Sequence, residues 1–268
     1  MIHEKIEIRD GEFQAELSTY IVDNTVEPDK IRPLVLVCPG GGYVMTSPKE
    51  GEPIALQMNS FGIHACVLNY SCAPAEFPTA LNQVAKSVKL IRENAKKWHV
   101  DPSKIIVLGF SAGGHLATSF GVFWNKEFLL RELNLKPEQI EPNGLVLCYP
   151  VITSGEHAHT GSFENLLGDR KDDTNWRELV SLEKQVDGTM PKAFIWHTYE
   201  DGAVPVENAL LLANAMRKAK VPFALHIFEE GGHGLGLGTE ETGQVVEEVQ
   251  PWIKMAGDWI LKNSFEKN

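Results

Sequence analysis

The sequence predicts a three-layer α/β fold, a mostly parallel central sheet with helices on both faces, and three observations predict it. Six short runs are apolar at successive positions, as strands buried on both faces must be. Between them the apolar period lengthens to three or four residues, the one-sided stripe of a helix. The two patterns alternate along the chain, and a βαβα rhythm folds with right-handed crossovers into a covered parallel sheet.

The elements follow in order. Ile2–Ile8 and Ala15–Val22 alternate apolar with polar and predict antiparallel edge strands. Leu34–Cys38 is the first buried run and stops at Pro39 and a glycine cluster, and Ile63–Leu68 is the second. Leu81, Val84, Val88, Ile91, Ala95 and Trp98 form a helical stripe. Ile105–Gly109 is a strand, and the helix-compatible Leu116–Phe120 follows shortly after it. Leu145–Tyr149, Ala193–His197 and Phe223–Phe228 complete the buried runs. Val206, Ala209, Leu210, Ala213 and Met216 make one further stripe, and Val245, Val249, Trp252, Ala256 and Trp259 another. Pro251 interrupts this last stripe and opens a second helical piece or kinks a longer one. Residues 154–188 break the rhythm: they are polar, longer than an ordinary connection, and predict a cap-like excursion over the sheet edge with one or two short helices.

Composition narrows the function classes. The chain has 268 residues, is 43% hydrophobic and carries a formal net charge of −11. That is enough apolar material for a large core, and it excludes disorder as the dominant state. The acidic surplus argues against nucleic acid or an anionic membrane as partner, because both require a basic footprint. No apolar run approaches the ~20 residues of a membrane span. Residues 1–10 alternate charges with isoleucines and show no signal-peptide pattern. Cys38, Cys66, Cys72 and Cys148 lack zinc-ligand or CxxC spacing and read as thiols in a reducing compartment, so the cytoplasm is expected. Residues 1–268 read as one domain without repeats, and a homo-oligomer is compatible with everything above.

The chemistry is carried by Gly109-Phe110-Ser111-Ala112-Gly113. GxSxG alone is a weak signal, but here it lies between a strand and a helix. That placement makes a nucleophile elbow, whose tight turn strains the serine backbone and holds the hydroxyl clear of the sheet. The alternative is a plain Gly-Ser turn. A serine hydroxyl needs a base and a group to orient the base. Asp201 follows the strand Ala193–His197, and His233 lies in a glycine-rich loop after Phe223–Phe228. Glu200 is a rival acid, while Asp201 is favoured by its place in the D-x-x-V-P entry to the next helix. An oxyanion needs backbone donors, which the residue after the nucleophile, Ala112, and the loop Pro39-Gly40-Gly41-Gly42-Tyr43 can supply. The triple glycine lacks the lysine and spacing of a phosphate loop, which argues against nucleotide binding.

Together, Cys-Pro-Gly-Gly-Gly-Tyr, Gly-Phe-Ser-Ala-Gly-Gly-His-Leu-Ala, Glu-Asp-Gly-Ala-Val-Pro and Gly-Gly-His-Gly resemble the α/β-hydrolase superfamily. More narrowly they resemble its acetylxylan esterase-like or xylanase B-like esterase and lipase group, from about Leu34 to the carboxyl terminus. The order Ser111, Asp201, His233 is that superfamily's order. The resemblance implies the α/β-hydrolase fold, Ser111 as nucleophile, His233 as base, Asp201 as orienting acid, and Gly41, Gly42 and Ala112 as oxyanion donors. Pro39 departs from the family pattern, standing where many relatives have histidine; this leaves the backbone donors intact.

The function expected is a serine esterase acting on a small-molecule ester, chiefly acetyl esters of sugars or xylo-oligosaccharides, with no metal and no organic cofactor. The rivals are a prolyl-oligopeptidase-like peptidase, disfavoured because the chain has no propeller-sized amino-terminal domain, and a non-catalytic binding protein of the same fold. Tyr43 lines the acyl pocket or belongs to the core. His157 and His159 form an HxH pair that reads as solvated, there being no third ligand at metal spacing. His115 is expected to pack or to bond a neighbouring loop.

Overall fold

A computed structural model of the chain describes residues 1–265. The strands are β1 (Lys5–Asp10), β2 (Phe13–Tyr20), β3 (Arg32–Cys38), β4 (His64–Asn69), β5 (Val100–Phe110), β6 (Gly144–Cys148), β7 (Ala193–Thr198) and β8 (Phe223–Phe228). They form one sheet in the order β1-β2-β4-β3-β5-β6-β7-β8. The β1–β2 and β2–β4 pairs are antiparallel and all the others parallel. The mostly parallel α/β architecture is therefore as the periodicity predicts.

The run in β3 shows why successive apolar residues are needed. Leu34, Leu36 and Cys38 pack into the core on one face, with Leu116, Val84 and Val88, while Val35 and Val37 join Ile54, Trp252 and Ala256 on the other. The alternation of side chains along a strand places both sets indoors at once. The helix Ser111–Phe123 is buried along its whole length, as expected of a helix apolar on every side.

Four expectations are corrected. β2 is not an edge strand, because it lies between β1 and β4. β8 is not buried on both faces: it closes the sheet, most of its residues are half-buried, and Ile227 is exposed. The stripe from Leu81 to Trp98 breaks at Asn94 into helices Thr79–Glu93 and Ala95–Trp98. Pro251 does open a helical piece, Trp252–Lys262, but Val245 and Val249 of the same stripe lie outside any helix. The preceding segment is tied to the loop after β8, where the Glu248 carboxylate accepts from the Glu229 and Glu230 N–H groups and the Val246 N–H donates to Gly238. Those bonds replace the helical ones.

The excursion carries helices Thr160–Leu167 and Thr174–Leu179. Its root is held by buried Asn208, whose Oδ1 accepts from the N–H groups of Ile152 and Thr153 and whose Nδ2 donates to the His157 carbonyl.

Candidate active site

The carboxyl ends of β3, β5, β6, β7 and β8 converge on one edge of the sheet, where ligands of open α/β sheets bind. Ser111 begins the helix after β5 with φ 53°, a conformation L residues adopt only when the surroundings enforce it. The flanking glycines show what enforces it. A Cβ on Gly109 would stand 2.1 Å from the Gly113 carbonyl oxygen, and one on Gly113 would stand 2.1 Å from that of Cys38. Backbone is packed against backbone, and only hydrogen fits between.

His233 bridges the other two predicted residues. Its Nε2 lies 2.7 Å from Ser111 Oγ and its Nδ1 2.6 Å from Asp201 Oδ2. Asp201 is buried, and its second oxygen accepts from the N–H groups of Ala203 and Val204. Burial pushes its carboxyl upward in pKa. Hydrogen bonds from His197, His233 and the Val204 N–H, with the nearby His233 charge, outweigh burial and hold it well below the usual carboxylate range. An ionised carboxylate only accepts, so His233 carries its proton on Nδ1 and turns the Nε2 lone pair to the serine hydroxyl. The rival acid is placed elsewhere: exposed Glu200 accepts from the Gly231 N–H at 3.0 Å and braces the histidine loop from outside.

Beside Ser111, the Gly40–Tyr43 loop turns sharply. Gly41 has φ 128°, and a Cβ there would overlap the Met45 carbonyl oxygen at 2.2 Å. The Gly40 N–H is already bonded to Glu50 Oε2 at 2.9 Å. Among the described residues the N–H groups of Gly41 and Gly42 have no acceptor. Ala112 lies in the first turn of its helix, where N–H groups have no intrahelical partner. The Gly42 carbonyl is fixed by Asn165 Nδ2 of the excursion, at 2.8 Å.

Tyr43 belongs to the core. It is 3% exposed, takes φ 59° and bonds through its hydroxyl to Nδ1 of buried His115, whose Nε2 donates to the Val180 carbonyl. The positive-φ turn sends the ring inward, into the core. His115 thus joins the glycine loop to the excursion. Burial depresses its pKa to about 4.

Sequence reasoning missed one network. Glu50, 2% exposed, accepts from Gly40 through Oε2 and from the Tyr149 hydroxyl through Oε1 at 2.6 Å. That hydroxyl in turn accepts from the Gly236 N–H at 2.8 Å, and the Tyr149 ring stands edge-on to His233, with centroids 5.1 Å apart. A carboxylate and a phenol therefore clamp the glycine loop to the histidine loop. Burial raises the Glu50 carboxyl, against its hydrogen bonds and the charges of His233 and Lys49. In sequence Glu50 sits in a polar turn without periodicity. Tyr149 could have been flagged, since it follows directly on a buried strand at the end where ligands bind.

Ser111, His233, Glu50 and the glycine loop border a cavity of about 410 Å³, a size suited to a small ligand. Ser111, His233, Gly41 and Gly42 form its floor; the exposed side chains of Val44 and Met45 stand at its mouth. His159 lines it as well, whereas the other half of the HxH pair, His157, engages Asn208 through its carbonyl. Among the described residues no group of three or more His, Cys, Asp or Glu could hold a metal.

Comparison with known proteins places this geometry. The BD-FAE family profile matches residues 20–216. The chain is 38% identical over 237 residues to endo-1,4-beta-xylanase B of Butyrivibrio fibrisolvens, covering 85% of this chain and 36% of that protein. It is 30% identical over 223 residues to an acetylxylan esterase of Xylanibacter ruminicola, covering 81% and 44%. The chain thus spans less than half the length of either relative. An acetyl ester-xyloside bifunctional hydrolase from Caldicellulosiruptor lactoaceticus superposes with a TM-score of 0.84 at 37% identity, covering 98% of this chain and 97% of that one. The carboxylesterase Cest-2923 from Lactobacillus plantarum WCFS1 gives 0.87 at 28% identity over the whole of both chains. The sheet and its helices form the α/β-hydrolase fold, and the chain belongs to the BD-FAE family.

Proposed function

We propose that the chain is a serine esterase that hydrolyses short-chain esters, chiefly acetyl esters of sugars or xylo-oligosaccharides, through an acyl-enzyme. The observation that carries this reading is the unbroken line Ser111 Oγ, His233 Nε2, His233 Nδ1, Asp201 Oδ2, with links of 2.7 and 2.6 Å. The two relatives named for xylan chemistry and the size of the cavity support the substrate class.

In the proposed reaction His233 takes the hydroxyl proton as Ser111 attacks the ester carbonyl, and Asp201 stabilises the imidazolium. The N–H groups of Ala112, Gly41 and Gly42 receive the oxyanion. The carbon–oxygen bond to the alcohol breaks, and His233 returns the proton to the departing oxygen. Water, deprotonated by the same nitrogen, then releases the acid and regenerates the serine. Among the described residues no helix is long and apolar enough to cross a membrane. Four free cysteines, three of them buried, support a reducing, cytoplasmic setting.

The test is Ser111→Ala. Turnover of phenyl acetate falls by ~10³-fold or more with an unchanged melting temperature, and labelling by a fluorophosphonate disappears. Near-native turnover by the variant would remove the serine from the reaction.

A further inference from the structure

The excursion contributes a polar group to the cavity that the reaction above does not use. His159 caps the helix Thr160–Leu167 with its imidazole: Nδ1 accepts from the Ser162 N–H at 3.3 Å and lies 2.8 Å from the Ser162 hydroxyl. A backbone N–H can only donate, so Nδ1 must present its lone pair, and the ring proton of the neutral imidazole resides on Nε2. Burial, and next the nearby His233 charge, lower the pKa of this imidazole, which favours that neutral form.

Nε2 has no protein partner among the described residues, and the ring lines the same cavity as Ser111, Gly41, Gly42 and His233. His159 Cε1 lies 4.0 Å from where a Cβ of Gly42 would be, so the ring packs beside the glycine loop. Lys49 lines the cavity too, its Nζ 3.7 Å from where a Cβ of Gly234 would be, and among the described residues it makes no ion pair.

An acetyl ester offers these donors few acceptors. Its acyl part is a methyl group, and its carbonyl oxygen is supplied by the backbone N–H groups of the proposed oxyanion site. The oxygens left over belong to the alcohol, and they are numerous only when that alcohol is polyhydroxylated. Resting on the esterase reading, we propose that His159 is a specificity-determining residue whose Nε2–H donates to a hydroxyl or ring oxygen of a sugar leaving group.

The experiment compares mono-acetylated methyl β-xylopyranoside with phenyl acetate, which lacks those oxygens, in the parent protein and in His159→Asn. Asparagine is a preferred helix cap, so it keeps the acceptor for Ser162 and removes only the longer-reaching N–H. The expected result is a fall of about ten-fold in kcat/KM on the sugar ester, mainly in KM, with phenyl acetate unchanged within two-fold. His159→Ser, which also caps, reproduces the selectivity if asparagine disturbs the fold. Equal losses on both substrates, or no loss on either, would overturn the inference while leaving the esterase reading intact. A parent protein inactive on both substrates would instead sink the esterase reading itself.

Discussion

The floor of the cavity and its wall come from different parts of the chain and are held in different ways. Ser111, Asp201 and the glycine loop sit at strand ends, where main-chain atoms touch main-chain atoms and Glu50, Tyr149 and Asp201 are buried with their hydrogen bonds made. His159 and Asn165 stand on an eight-residue helix of the excursion, half-buried, each with one polar end bonded to protein. The groups proposed to move protons are braced by backbone contact and buried hydrogen bonds, whereas His159, the one proposed to choose the alcohol, caps a surface helix of the excursion.

That contrast can be broken by mutation, from the largest effect to the smallest. Asp201→Asn strikes the floor: His233 loses the anion that fixes its tautomer, and kcat falls by ~10⁴-fold equally on sugar and aryl esters. A loss confined to one substrate would mean that floor and wall are not separable. Tyr149→Phe removes the donor to Glu50 and the acceptor for Gly236, so steady-state kinetics are expected to show kcat reduced by ~10 to 100-fold with little change in KM. An unaltered kcat would show that the histidine loop holds its place unaided.

The smallest effect concerns two buried imidazoles, of which His115 lies on the seam between the two regions. His115 and His64 are held by burial at pKa values of about 4, below an ordinary 6.5, so the folded state resists protons that the unfolded chain accepts. Their contribution to stability is complete above pH 6.5 and is lost as the pH falls toward 4. The melting temperature should drop by several degrees across that window, since ~1 kcal/mol moves a chain of this size by ~2–4 °C. His115→Gln, which can bond Tyr43 and Val180 without titrating, should flatten part of the drop. A drop of the same size would place the acid sensitivity elsewhere.

The same division governs what the sequence discloses. Ser111, Asp201 and His233 were legible because buried parallel strands leave apolar runs and a tight elbow demands glycine at 109 and 113. Glu50 left no trace: a glutamate in a polar turn reads as solvated until the fold carries Tyr149 to it across 99 positions. The HxH pair was read as solvent-facing because nothing local shows that helix Thr160–Leu167 docks over the glycine loop. Tyr43 stayed open between pocket and core because an aromatic after glycine says nothing of the turn that decides its side, and the first half of the last stripe misled because bonds to Gly238 and to the Glu248 carboxylate overrode its period.

The bond from Asn165 to the Gly42 carbonyl bears on any attempt to redesign this chain. Substrate preference looks like something to be altered by grafting residues 154–188 from another scaffold. Such a graft would strip the glycine loop of a side chain that keeps it in shape, so a transplanted segment must bring an amide to the same spot or forfeit rate along with selectivity.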